Sequence, residues 1–384
     1  EISAGLVGAE MCIRDRLESE MINIRKEKKE WGNMQPEDIV RSGPNQYVCR
    51  EGIVKELPSF ANAFERPVII SGVKSFKAFT RYTTPPADWK VVQHTGCSSL
   101  NKIKKAAEEA ESADVIIGIG GGTVLDTAKA AADLLNIEVM TIPTIPGTCA
   151  ASTPLSVIYD DEGNFSGVQY QKRSSYLTLV DPLLLLSSPV AYVKSGIGDT
   201  LAKWYEAEAI IRNTADSLSI MVQTGLRQSV YIRDILLTES LKAIESLEKG
   251  ESSPAFTNVL EAVIALAGTV GGYAGRYGRM AGAHAIHNGL TFIPETHRVL
   301  HGQKVAYGIL VQLALEGRTD EIAELIPFYE GLGFPRRLSD LGILENIEAA
   351  KRIIAAHAAR PDESLCLMGS FHEADVIAAI ESLE

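Results

Sequence analysis

Residues 113–135 read ADVIIGIGGGTVLDTAKAAADLL. The first half is a short, almost unbroken apolar run rich in β-branched residues. The second half, from Thr123, repeats apolar residues at helical steps. A strand without polar alternation is covered on both faces, as in a parallel sheet flanked by helices. Gly120-Gly121-Gly122 joins the two halves. Glycines there let backbone N–H groups approach a ligand closely, and the start of a helix offers unpaired donors at its positive dipole end. The spacing is neither G-x-G-x-x-G nor a P-loop, since no Gly-Lys-Ser/Thr follows. A tight turn without a ligand is the plain alternative; the strand–glycine–helix order favours a phosphate.

The same alternation continues on both sides. YVCR (47–50) precedes a helical pattern, IVKELPSFANAF. PVIIS (67–71) precedes SFKAFTRY, and WKVVQH (89–94) precedes SSLNKIKKAAEEA. IEVMTIP (137–143) follows the central unit. This predicts an α/β N-terminal doubly wound dinucleotide-binding domain over residues 34–188. After Pro143 the stretch Thr144–Tyr159 is rich in small and hydroxyl residues. It suits a loop at the carboxyl edge of the sheet, where such folds bind ligands. YDDEGNFSGVQY (159–170) reads as a hairpin. From about residue 190 helical patterns follow one another without clear strands. This predicts an all-α C-terminal domain over residues 189–384, with the active site between the two.

That second half contains Ala281–Lys304, AGAHAIHNGLTFIPETHRVLHGQK, which holds four of the seven histidines. Neutral imidazole is the commonest transition-metal ligand. His284 and His287 are three apart and share a helix face. His297 follows, and His301 precedes what reads as a new helix. A carboxylate from elsewhere would complete a three-ligand catalytic site with an open position. A polar turn with surface histidines is the bland reading. Asp199, near the apparent helix start in GIGDTLAKWYE, either caps that helix or supplies the missing ligand.

Composition narrows the classes. With 384 residues, 46% hydrophobic and 22% charged, the chain is of ordinary globular type. A net charge of -12 argues against nucleic acid as a partner. The five cysteines, at 12, 49, 97, 149 and 366, show no paired spacing, which suggests a reducing, cytoplasmic setting and no structural zinc. No run of 18 apolar residues is present, so no membrane partner is expected. EISAGLVGAEMCIRDR (1–16) matches a translated sequencing adaptor and is read as a non-native scar, with Met21 or Met34 as the expected start.

GIGGGTVLDTAKA, the PTIPGT…LSVIY segment, GIGDTLAKWYEA, AHAIHNGLT and HGQKVAYGIL, in this order, resemble the glycerol-dehydrogenase branch of the iron-containing (group III) alcohol dehydrogenases. The resemblance runs from about residue 40 to the C-terminus. It implies a dehydroquinate-synthase-like fold and an NAD(P)-dependent, metal-assisted dehydrogenase. The family's metal-ligand positions fall on Asp199, His284 and His301, for one divalent ion, Zn²⁺ in preference to Fe²⁺. Its cofactor positions fall on Gly121, Gly122, Thr123, Thr144, Gly147, Thr153, Leu155 and Tyr159. A small-molecule substrate and a homo-oligomer are expected.

Two departures matter within the family. Cys149 stands where glycerol dehydrogenases carry an Asp that contacts the polyol. Gly72 stands where they commonly carry an Asp for the adenosine ribose, with Lys74 two residues on. Both departures bring the chain closer to hydroxycarboxylate dehydrogenases, which are NADPH-linked 2-oxoacid reductases. The leading expectation is therefore reduction of a 2-oxoacid with NADP(H), NAD(H) being the other candidate cofactor. Lys203, one turn after Asp199, is expected to hold the substrate carboxylate, Cys149 to leave room for it, and His287 to relay a proton or support a ligand. A polyol dehydrogenase and a dehydroquinate-synthase-type lyase are the alternatives.

Overall fold

A computed structural model describes residues 39–163, 165–215 and 217–384; the adaptor-like stretch and both candidate start methionines lie outside them. Six strands form one parallel sheet: β1 (Gln46–Cys49), β2 (Pro67–Gly72), β3 (Lys90–His94), β4 (Val115–Gly120), β5 (Glu138–Pro143) and β8 (Leu177–Val180). Their spatial order is β1-β8-β5-β4-β2-β3. Helices α1 (Val73–Thr80), α2 (Leu100–Glu109) and α3 (Gly122–Leu135) connect them.

The apolar strands are apolar because both sheet faces are covered. Ile69, Ile117, Met140 and Leu177 lie side by side across four strands. They belong to one core cluster with Ile53, Leu57 and Phe79. The alternate residues Val68, Ile116 and Val139 point the other way, against Ala106 and Ala107 of α2 and Ala128 and Ala131 of α3. This period of two, buried on both sides, is what a doubly wound sheet requires. β6 (Leu155–Tyr159) and β7 (Phe165–Tyr170) pair antiparallel as a separate hairpin.

Three expectations need correction. The pattern from Ile53 to Phe64 is not one helix: it is a 3-10 turn, a four-residue α-turn at Leu57–Phe60 and a second 3-10 turn. Pro58 within it lacks the N–H a continuing helix would need. Leu155–Tyr159 is strand rather than loop. Asp199 is not near a helix start: α4 runs Val190–Asn213, so its third turn carries this residue.

Beyond Val180 the described residues contain helices only. Besides a four-residue α-turn at Pro182–Leu185 and several short 3-10 turns, they are α4, α5 (Ile220–Lys249), α6 (Pro254–Glu261), a π-turn (Ala262–Leu266), α7 (Ala267–Ala274), α8 (Gly282–Leu290), α9 (His301–Leu315), α10 (Thr319–Leu332), α11 (Ile347–Ala358) and α12 (Glu373–Glu381). Pro254–Gly278 is long and apolar enough to cross a membrane by length and composition alone. Of its most apolar window, 61% is buried inside the protein, where α6 and α7 pack on α5. One apolar cluster joins the two halves, with Leu125, Ala151 and Val180 packed among Ile197, Leu201 and Val263.

Candidate metal and dinucleotide site

Three helices meet where the site forms, and two of them touch through glycine. A Cβ on Gly302 would lie 1.7 Å from the Ser195 carbonyl oxygen, and one on Gly198 would lie 2.3 Å from the Gly302 carbonyl oxygen. Only glycine at both places lets α4 and α9 come this close. The Gly302 N–H donates to Ser195 Oγ at 3.0 Å, fixing the start of α9 against α4. Gln312 of α9 ties in the third helix. Its Oε1 accepts the Ala283 N–H at 3.0 Å, and its Nε2 donates to the Tyr205 carbonyl at 2.9 Å.

This docking brings Asp199, His284 and His301 together, with one ligand atom of each within 4.8 Å of the others. Both histidines aim Nε2 at the same oxygen, Asp199 Oδ1: His301 at 3.1 Å and His284 at 3.3 Å. Asp199 and His284 are each 6% exposed, while His301 is partly open. Two imidazole nitrogens and one carboxylate, with one open side, fit a divalent ion of the Zn²⁺ or Fe²⁺ kind. Burial disfavours the Asp199 carboxylate, but His301 and His284 outweigh it and hold the carboxyl well below the usual range.

A second layer holds the first. His284 Nδ1 lies 2.8 Å from Glu206 Oε2, and Glu206 Oε1 accepts the N–H groups of Ala281 and His284 at 2.7 and 2.9 Å. Glu206 therefore caps α8 and also fixes the His284 ring, leaving Nε2 free to bind a metal. His301 Nδ1 lies 2.8 Å from His287 Nε2, and His287 Nδ1 lies 3.0 Å from Asn288 Oδ1. Thus His287 backs a candidate ligand. His297 is elsewhere, exposed and bonded to the Thr291 carbonyl.

Lys203 makes no ion pair with Asp199; its Nζ donates to the Arg279 carbonyl at 3.1 Å. Burial pushes the Cys149 thiol up, and the Lys203 ammonium and the Asp199 carboxylate act on it in opposite directions.

The loop from Thr144 is pinned to both halves. The Thr144 N–H donates to the Gly120 carbonyl at 3.0 Å. Thr141 and Thr178 hydroxyls both donate to the Ala151 carbonyl, at 2.8 and 3.1 Å. On the other side α4 presses on the loop, since a Cβ on Gly196 would lie 1.9 Å from the Pro146 carbonyl oxygen. Gly147 lies beside Tyr192 of α4. Gly121 precedes α3 in extended conformation, and no side chain caps that helix. A Cβ on Gly121 would meet Ile145 at 2.7 Å, whereas Gly122 and Thr123 open the helix with their N–H groups unclaimed by a cap. The turn fits an anionic pyrophosphate.

Sequence reasoning assigned no role to Lys129 and Asp126, although both lie in the quoted motif. Lys129, 1% exposed, pairs with Asp126 at 3.0 Å. It donates to the Thr153 carbonyl at 3.0 Å and to that of Leu155. The helix that starts at the glycines thereby fixes two of the residues expected to line the cofactor, Thr153 and Leu155. Tyr159, the last of that set, is half-buried, and its N–H donates to the Ser98 carbonyl at 3.1 Å. Glu206 was also missed as the partner of His284, a candidate ligand. Its signal was its spacing, seven residues or two helical turns after Asp199 on the same face.

The model of the family described as iron-containing alcohol dehydrogenase matches residues 44–182. Hydroxycarboxylate dehydrogenase A of Escherichia coli is 39% identical over 329 residues, covering 84% of this chain and 91% of that protein. A glycerol dehydrogenase of Escherichia coli is 33% identical over 339 residues, covering 85% and 91%. The crystal structure of glycerol dehydrogenase from Schizosaccharomyces pombe aligns with a TM-score of 0.79 at 28% identity, covering 90% of each chain.

Proposed function

The chain belongs to the iron-containing alcohol dehydrogenase family, a family of metal-binding, nicotinamide-dependent oxidoreductases acting on CH–OH groups, and from that premise we propose that it reduces a small 2-oxoacid to the 2-hydroxy acid, with NADP(H) accepted. The observation that carries the substrate class is the placement of Lys203. It stands one helical turn after Asp199 on α4, its charge is felt by Cys149 and Glu206, and its Nζ donates to a neutral carbonyl, that of Arg279. A lysine has three donors, so two remain for a carboxylate presented beside the candidate metal site. The thiol of Cys149 adds no negative charge against that anion, because burial pushes its pKa up.

Asp199, His284 and His301 would hold the ion, and Gly121, Gly122 and Thr123 would receive the pyrophosphate, with Thr144, Gly147, Thr153, Leu155 and Tyr159 along the cofactor. When bound, the ion supplies Lewis-acid polarisation of a carbonyl oxygen and the nicotinamide supplies the hydride. The protein's part is to orient. Glu206 keeps His284 aligned, His287 keeps His301 aligned, and Lys203 fixes the substrate carboxylate so that the neighbouring carbonyl faces the ligand cluster. His287 has both ring nitrogens engaged, so it serves as a support, and solvent on the open side of His301 delivers the proton.

Two measurements test this. A screen of NADPH and NADH oxidation against 2-oxoacids, aldehydes and ketones, with polyols in the reverse direction, should show the highest kcat/KM with a 2-oxoacid. Lys203→Thr should cost about 2–3 kcal/mol for the acid, roughly 30- to 150-fold in kcat/KM, and little for a neutral carbonyl substrate. Equal losses on both, or a polyol as the best substrate, would make Lys203 structural and overturn the acid reading.

A further inference from the structure

Asn288 and Glu363 carry no role so far, yet they complete a line of hydrogen bonds that starts at the candidate metal site. From His301 Nε2 at the ligand cluster, the line runs His301 Nδ1 to His287 Nε2 at 2.8 Å, then His287 Nδ1 to Asn288 Oδ1 at 3.0 Å. It ends with Asn288 Nδ2 donating to Glu363 Oε2 at 3.1 Å. Glu363 sits in the loop after α11, 75 residues from Asn288. The loop is fixed there, because the next residue, Ser364, donates its hydroxyl to the Ala281 carbonyl at 2.7 Å.

We propose that Asn288 and Glu363 are positioning residues that set the tautomers of His287 and His301, and so present the His301 Nε2 lone pair to the metal. The inference rests on the reading of Asp199, His284 and His301 as ligands. Its logic runs from both ends of the line. A carboxylate only accepts, so Glu363 turns the amide NH₂ of Asn288 towards itself and the amide oxygen towards His287. That oxygen also only accepts, so the proton of neutral His287 sits on Nδ1 and Nε2 is left as an acceptor. His301 then places its own proton on Nδ1 to meet it. From the other end, a bound ion demands the lone pair on His301 Nε2, which again puts the proton on Nδ1. Both ends select the same arrangement, and a reversed amide would break it at two bonds.

The test is divalent-metal affinity, measured by chelator competition with Zn²⁺ on stripped and reloaded protein. Asn288→Leu should weaken Zn²⁺ binding on the order of 10- to 100-fold. Glu363→Ala should weaken it in the same direction, and Glu363→Gln should restore it, because the glutamine amide oxygen still accepts from Asn288. Ring ¹⁵N shifts of labelled histidine in the Zn²⁺-loaded proteins should show the wild-type Nδ1–H tautomers of His287 and His301 in Glu363→Gln and a mixture in Glu363→Ala. Melting temperatures of the metal-free variants check that the fold is intact. His301→Ala is the control that separates the two readings. If it keeps Zn²⁺ as tightly as wild type, the ligand assignment fails. If it loses Zn²⁺ while Asn288→Leu and Glu363→Ala bind like wild type with unaltered tautomers, only the positioning role is overturned.

Discussion

At the scale of single residues, His284 is the most constrained group in the site. In the metal-free protein burial disfavours its imidazolium, but Glu206 and Asp199 outweigh that and raise its pKa from 6.5 to about 9. The native state therefore holds a proton that the unfolded state has released between these values. The stabilisation this gives is complete below the ordinary value and is lost as pH rises through about 9. A divalent ion must displace the same proton. Metal affinity should accordingly climb about tenfold per pH unit and level off near the raised pKa; a flat competition titration across that range would show that metal binding displaces no such proton. Replacing His284 with Ala should remove most bound metal and most activity, read by elemental analysis and kcat/KM. Gly72 offers a second residue-scale test. It has φ -81 at the end of β2, and a Cβ there would meet Ser75 Oγ at 3.2 Å, so an aspartate is accommodated with a small shift. An acidic side chain repels a 2′-phosphate, so Gly72→Asp should move the ratio of kcat/KM for NADPH over NADH towards NADH. A wild type that already uses NADH far better would defeat the NADP(H) proposal. The residues legible in the sequence were those whose chemistry is rare: clustered histidines, and an aspartate in a motif. Glu206 and Lys129 were not, because a carboxylate or an amine on a helix reads as solvated until the fold buries it at 1% exposure.

At the scale of elements, the site is a consequence of how α4 and α9 cross. Gly302→Ala would drive a methyl group into the Ser195 carbonyl. Overpacking of this kind typically costs about 1–3 kcal/mol. Here it should also separate Asp199 from His301, so the variant should lose metal affinity beyond what its lowered denaturation midpoint explains. Preserved affinity would mean that the helices adjust elsewhere. Strands buried on both faces announced themselves as apolar runs, and the α/β half was legible for that reason. β8 was not recognised. Its four residues, Leu177–Val180, are too short to show a period, yet all are buried between β1 and β5. The interior position of Asp199 in α4 was hidden likewise, because Val190–Ser195 carries no helix-start signal other than the preceding Pro189.

At the scale of the whole molecule, the candidate dinucleotide turn and the candidate ligand cluster belong to different halves joined by one apolar core. An ion that binds the native state alone stabilises it by about 2.7 kcal/mol at a hundredfold excess over its Kd. Chelation should therefore lower Tm, and Zn²⁺ should restore it in a concentration-dependent way; a Tm indifferent to metal would argue against the ligand cluster. The arrangement also bears on time. Asp199 and His301 meet across 102 residues of sequence, and His284 arrives on a third helix. No early, local piece of the chain contains a complete binding site, so an ion has nothing to grip until the three helices have docked. Contacts absent from the folding transition state act on the escape rate alone. In stopped-flow experiments Zn²⁺ should leave the refolding rate nearly unchanged and slow unfolding, making the ion a latch on a finished molecule rather than a template for building it.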